Sequence, residues 1–213
     1  MGIDLTGKVI AVLGGDDREL VFIPELIQRG ATVKAVGFEV DHLPETVEIC
    51  NSPIQAVKGA NAVIMPMPGT DAEGVIRAVY SSTKLVFSES LARNLTGLPV
   101  FIGVAKPYLK ELCKKHQVQL IEIAEIDDIA ILNSIPTAEG AIQLAIQETP
   151  YTIHNSKCLV LGYGRVAVTL ARTLKNMGAH TFVAARSDGD LARIFEQSLE
   201  PVPFSRLEDY ASG

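Results

Sequence analysis

The stretch CLVLGYGRVAVTLARTLKNMGAHTFVAA, residues 158–185, sets the architecture of this chain. Cys158-Leu159-Val160-Leu161 is a short apolar strand run. Gly162-Tyr163-Gly164-Arg165-Val166-Ala167 is a tight G-x-G-x-x-A loop, and Val166, Leu170, Thr173 and Leu174 follow it at helical spacing. Gly178 stands where a helix stop belongs, and residues 181–185 read as a second strand. Strand, glycine turn, helix and strand in this order seat a dinucleotide pyrophosphate. Gly162 permits the sharp turn, Gly164 lets backbone N–H groups approach the phosphates, and the small Ala167 lets helix and strand pack closely. The anion then sits at the positive end of the helix. A ligand-free structural turn uses the same glycines, and in a chain with 17 of them the bare pattern is weak. Its ordered context carries the reading, which implies a nicotinamide or flavin dinucleotide.

The end of the second strand bears on the choice between NAD and NADP. An acid about 20 residues after the loop bonds the ribose 2′-hydroxyl of NAD. Here Ala184-Ala185-Arg186-Ser187 stand instead, with no acid before Asp188. A guanidinium and a hydroxyl suit a 2′-phosphate, so NADP is the expected cofactor, with Arg186 and Ser187 at its phosphate. The alternative for Arg186 is an ordinary solvated turn residue.

Composition narrows the function classes. The 213 residues, 47% hydrophobic and 21% charged, describe a soluble globular chain of one or two domains. A net charge of −6 argues against a nucleic-acid groove. The sequence shows no basic, apolar leader and no uninterrupted apolar run near membrane-spanning length, so a cytoplasmic location and no membrane partner are expected. Cys50, Cys113 and Cys158 lack metal-ligand spacing, and no metal site is expected.

An internal echo gives the domain plan. Shifting the chain by 148 positions lays Leu13-Gly14 on Leu161-Gly162, Leu26 on Leu174, and Gly30-Ala31 on Gly178-Ala179. In the first copy Asp16 takes the place of Gly164, with Asp17 beside it, and carboxylates there repel a pyrophosphate. The first copy therefore keeps the fold without the cofactor. Its loop, Gly14-Gly15-Asp16-Asp17-Arg18, still sits at a strand end where ligands of open parallel sheets collect. Plain helix capping by Asp16 or Asp17 is the competing explanation.

Further strand-like runs lie at residues 62–65, 85–87, 100–102 and 119–122, with helical stretches at 72–80 and 108–116 among the connections. This alternation predicts a parallel sheet covered on both faces. The expected class is α/β with two doubly wound, parallel-sheet, Rossmann-like domains, the second incomplete. Residues 1–132 form the first domain, 133–154 a connecting helix and linker, and 155–213 a partial NADP-binding domain. Asn133, Ser134 and Thr137 are read as caps of the connecting helix, which starts near Thr137, extends to about Gln147 and points its N-terminus toward the cleft between domains, where it suits a carboxylate. Ordinary capping with no ligand explains the same residues.

The Gly14-Gly15-Asp16-x-Arg18 loop and Asp127-Asp128-Ile129-Ala130 carry a family resemblance. So do Asn133-Ser134-Ile135-Pro136-Thr137-x-Glu139-Gly140, Tyr151-Thr152-Ile153-His154 and Gly162-x-Gly164-Arg165. Together they resemble the A subunit of bacterial dipicolinate synthase along essentially the whole chain. The resemblance implies NADP-dependent oxidation of dihydrodipicolinate, a cyclic dicarboxylate of the lysine/diaminopimelate pathway branch, to dipicolinate during sporulation. The flavoprotein-like B subunit of dipicolinate synthase is the partner it implies, and a homo-oligomer is expected.

For such an oxidoreductase, Gly14, Gly15, Asp16, Arg18, Asn133, Ser134 and Thr137 are the candidate substrate-binding residues. Gly162, Gly164, Arg165, Val166, Arg186 and Ser187 are the candidate cofactor contacts. Glu139 and then His154 are the candidate bases, against structural readings as a first-turn acid and a lone hydrogen-bonding histidine. His42, His116 and His180 are expected at solvent. Members of the resembled family continue for several more strands, so the chain reads as a truncated form. Hence a second reading: a non-catalytic binding or assembly module of the synthase complex. An unrelated two-domain dehydrogenase, of the alanine-dehydrogenase or homocysteine-hydrolase kind, rests on fold pattern alone.

Overall fold

A computed structural model describes residues 3–39 and 43–211; His42 lies outside them. The chain forms two compact units, Met1–Ile126 and Asp127–Gly213. The division falls before residues 133–154, the expected connecting helix and linker, and the helix there begins at Asp127 and lies in the second unit.

In the first unit, β1 (Val9–Leu13), α1 (Asp17–Gln28) and β2 (Thr32–Val36) follow the echoed pattern, and β3 (Glu48–Ile49) and α2 (Pro53–Val57) come next. After β4 (Ala62–Ile64) the chain makes the short strands β5 (Val75–Ile76) and β6 (Leu85–Val86), then α3 (Glu89–Asn94), β7 (Pro99–Ile102), α4 (Pro107–Lys115) and β8 (Gln119–Glu122). The main sheet runs β3-β2-β1-β4-β7-β8, all parallel. Renumbered within the sheet this is 3-2-1-4-5-6, the doubly wound dinucleotide-fold order. Side chains alternate across each strand. Ala11 and Leu13 enter one core with Ala56, Leu91 and Leu109 of α2, α3 and α4. Ile10 and Val12 enter the other with Ile23 of α1. Burial on both faces is why the strands read as unbroken apolar runs.

Three expectations fail in this unit. Residues 72–80 are not helical. The Asp71 carboxylate accepts the backbone N–H groups of Glu73 and Val75 at 3.1 and 2.7 Å, a local alternative to helix, and Gly74 turns the chain at φ +84°. The 85–87 run does form a strand, but it pairs antiparallel with β5 outside the main sheet. His116 is also not solvated: its ring is largely buried, 3.3 Å from the Glu89 carboxylate.

The second unit begins with α5 (Asp127–Glu148), followed by β9 (Lys157–Leu161), α6 (Arg165–Asn176), β10 (His180–Ala185), α7 (Asp188–Glu196), β11 (Glu200–Pro203) and α8 (Glu208–Ala211). Its sheet is β11-β10-β9, parallel throughout. This repeats the β3-β2-β1 half of the first unit. Val160, Val183, Ala171, Leu174, Ile194 and Ile142 form its core. Among the described residues, no strand pairs with the outer edge of β9.

The expected start of α5 near Thr137 is ten residues late. Pro136 lies inside the helix, where its missing N–H takes the helical donor away from the Leu132 carbonyl. Thr137 is not a cap; its hydroxyl donates back to the Asn133 carbonyl at 2.8 Å. Asn133 and Ser134 are likewise mid-helix, so no helix N-terminus exists there to receive a carboxylate. By length and composition α5 is long and apolar enough to cross a membrane, although polar residues interrupt its apolar runs. One stripe of it, Ser134, Ala138 and Ile142, is buried.

Candidate dinucleotide site

At the carboxyl end of β9, Gly162 adopts φ +97°, a conformation that glycine supplies without strain. Gly164 is the N-cap of α6 and offers no side-chain cap. The first-turn N–H groups of Arg165 and Val166 therefore have neither a helical acceptor nor a capping oxygen. A Cβ built on Gly162 or Gly164 would meet nothing within 4 Å, so the loop opens on free space. That space is a recess of about 450 Å³ lined by Leu161, Gly162, Tyr163, Gly164, Ala185, Arg186, Asp190 and Phe204. Tyr163 lines the recess without filling it and packs against the core of the unit. Its hydroxyl is buried without a partner, and burial pushes its phenol pKa up. Free N–H groups, open glycines and a cationic far wall fit a dinucleotide.

The remaining sequence candidates in this unit divide. Arg186 lines the recess. Ser187 caps α7: its hydroxyl accepts the Asp190 N–H at 3.1 Å and donates to the Asp190 carboxylate at 2.7 Å, so it is already engaged. The Arg165 guanidinium turns to Asp127, 3.0 Å away, leaving only its backbone N–H for a phosphate. Ser134 is fully buried and shares a 2.7 Å hydrogen bond with Thr169, joining α5 to α6.

Glu139 is exposed on α5, twelve residues past Asp127, roughly 18 Å of helical rise. His154 precedes β9, so it stands at the amino edge of the sheet, opposite the loop. Its ring packs where a Gly178 side chain would otherwise be, 2.5 Å from the built Cβ. Neither residue is among those lining the recess. Asp190 and Phe204 do line it, and neither carries a sequence signal for doing so. Asp190 lies beyond the expected acid position, and Phe204 enters only through strand pairing.

The first unit closes the equivalent place. Gly14 and Gly15 are buried beneath residues 76–80: a Gly14 Cβ would meet the Arg77 carbonyl at 2.6 Å, and Val79 N–H donates to the Gly15 carbonyl at 2.9 Å. They support the loop and are not surface contacts. Asp16 caps α1 in a capping box with Glu19, whose carboxylate accepts the Asp16 N–H at 2.7 Å. Burial pushes the Glu19 pKa up.

Asp16 also takes paired bonds from the Arg18 Nε and Nη2 at 2.9 and 2.8 Å, with Arg77 Nε 3.5 Å away. The Arg18 bonds hold its pKa down to about 2. Asp17 accepts from the Tyr80 hydroxyl. Arg18 and Arg77 are each about half exposed, 52% and 53%, and both guanidiniums meet at the Asp16 carboxylate. Arg77 had no signal in the sequence, because it lay within residues expected to form a helix.

A complete 3-2-1-4-5-6 sheet, followed by a parallel unit with an open glycine loop after its first strand, defines a Rossmann-like, dehydrogenase-type protein, a fold that points to a nucleotide cofactor. Residues 9–124 match the family described as the N-terminal domain of the dipicolinate synthase A subunit. The chain is similar to the dipicolinate synthase A subunit of Bacillus subtilis, 40% identical over 208 residues, which cover 97% of this chain and 70% of the relative. It superposes on the crystal structure of that protein's A chain with TM-score 0.87 at 39% identity, over 99% of this chain and 71% of the other. The crystal structure of the A subunit from Bacillus halodurans gives TM-score 0.86 at 36% identity, over 98% and 72%. The chain belongs to the family of dipicolinate synthase A subunits.

Proposed function

We propose that this chain is an NADP-dependent oxidoreductase subunit that acts in dipicolinate synthesis, oxidising dihydrodipicolinate to dipicolinate in company with a flavoprotein-like B subunit. Family membership supports the pathway, and the open glycine loop is the observation that carries the chemistry. The backbone N–H groups of Gly164, Arg165 and Val166 receive the pyrophosphate at the start of α6. Arg186 carries the 2′-phosphate without help from Ser187, whose hydroxyl is engaged with Asp190. The bound cofactor supplies the hydride acceptor, and aromatisation of the ring supplies the driving force.

Arg18 and Arg77 are the substrate-side cations, paired charges for a dicarboxylate. Proton removal is assigned to water: His154 is at the wrong edge of its sheet, and Glu139 lies well down α5. NADP reduction, followed by nicotinamide absorbance with dihydrodipicolinate and the B subunit present, tests the proposal. Turnover that falls on Arg186→Asp, with NADPH giving a larger thermal shift than NADH, supports it. Equal shifts that the substitution leaves unchanged contradict the NADP assignment.

A further inference from the structure

The last matched residues of β10 and β11 are Ala185 and Pro203. Arg186 follows one strand and Phe204 the other, so sheet register brings the two to the same carboxyl edge. The guanidinium carbon of Arg186 lies 5.2 Å from the centroid of the Phe204 ring, within cation–π range. Both side chains line the recess that Gly162 and Gly164 open.

We infer that Phe204 is a positioning residue for Arg186, holding the guanidinium flat against its ring so that the free donors meet the 2′-phosphate of a phosphoadenosine ligand. The inference rests on the NADP reading above and deepens it. A long arginine side chain loses rotamer freedom when it grips a phosphate, and an aromatic face that already fixes the plane removes part of that loss. All the groups involved sit on β9, β10 and β11 and the turns after them, so the adenosine end of the cofactor is a sufficient ligand. The ligand class is a 2′-phosphorylated adenine nucleotide.

Calorimetric titration of the full chain with 2′,5′-ADP and with 5′-AMP tests this, because the two probes differ only in the 2′-phosphate. The wild type is expected to prefer 2′,5′-ADP. Phe204→Leu is expected to lower that preference about two- to fivefold, the range of an exposed cation–π contact, with 5′-AMP binding unchanged. Phe204→Tyr, which keeps the ring face, retains the preference.

Phe204→Met, which keeps apolar bulk without a ring face, reads the same coupling should Phe204→Leu fail to fold, and it is expected to lower the preference likewise. An equal loss for both probes in Phe204→Leu would show that Phe204 serves the adenine ring, and an unchanged preference would show that Arg186 needs no support. Either result overturns the inference while leaving the NADP reading in place. A wild type with no preference, indifferent to Arg186→Asp, would overturn the NADP reading itself and the inference with it.

Discussion

Leu13 and Leu161 hold the same place in the first strands of the two units, yet Leu13 is completely buried and Leu161 is 64% exposed. Among the described residues, β1 pairs on both sides, with β2 and β4, whereas β9 pairs with β10 alone. The two sites should answer mutation differently. Leu13→Ala is expected to cost about 2–5 kcal/mol of unfolding free energy, and Leu161→Ala to stay within about 0.5 kcal/mol. Urea unfolding monitored by circular dichroism measures both; equal costs would mean that β9 is covered in solution.

Asp16 links charge to stability in the first unit. Its carboxylate sits well below the ordinary aspartate range because Arg18 binds the charged form. A depressed pKa stabilises the fold above the unfolded value, near 4, and that contribution disappears as pH falls toward about 2. Asp16→Asn keeps a good helix cap and removes the charge. The wild type is therefore expected to exceed Asp16→Asn by about 1 kcal/mol near pH 6, after allowing for solvent screening. The gap should close near pH 2, and a gap independent of pH would contradict the pairing.

The Ser134 and Thr169 hydroxyls form one buried bond between α5 and α6. Ser134→Ala and Thr169→Val should each destabilise by about 1 kcal/mol or more. The double variant should cost less than the sum, a coupling that a double-mutant cycle on denaturation midpoints measures. Additive costs would show that the hydroxyls do not communicate.

His154 and Gly178 form a packing pair at the amino edge of the second sheet. Gly178→Ala should destabilise by about 1 kcal/mol or more, because its φ is +85° and its new methyl meets the imidazole. His154→Ala on that background should relieve the clash but not the backbone strain. His154→Ala alone should leave NADPH-induced stabilisation unchanged; loss of that stabilisation would return His154 to the site.

Much of this organisation was legible because strand and helix periods are local. The apolar runs at β1, β9 and β10, the glycine stops and the G-x-G-x-x-A loop are each written within a few residues, and the 148-residue echo foretold that both units open alike. What escaped depends on partners distant in sequence. Ser134 resembles a cap until Thr169, thirty-five residues away, takes its hydroxyl. Arg77 becomes a site candidate only when residues 76–80 lie over Gly14 and Gly15. Phe204 joins the recess through the register of β11 on β10. The start of α5 was misplaced because Asn133, Ser134 and Thr137 are good capping residues whose side chains find other uses inside a helix.

Backbone amide shifts during an NADPH titration of isotopically labelled protein test most directly whether phosphates bind the main chain at the start of α6. Gly162, Gly164, Arg165 and Val166 are predicted to move together and saturably. Gly164→Asp, which imports the carboxylate of the first unit's loop, is predicted to abolish the movement without lowering the ligand-free melting temperature. Amides of this loop that stay still while NADPH binds elsewhere, or that respond unchanged in Gly164→Asp, would contradict phosphate binding there.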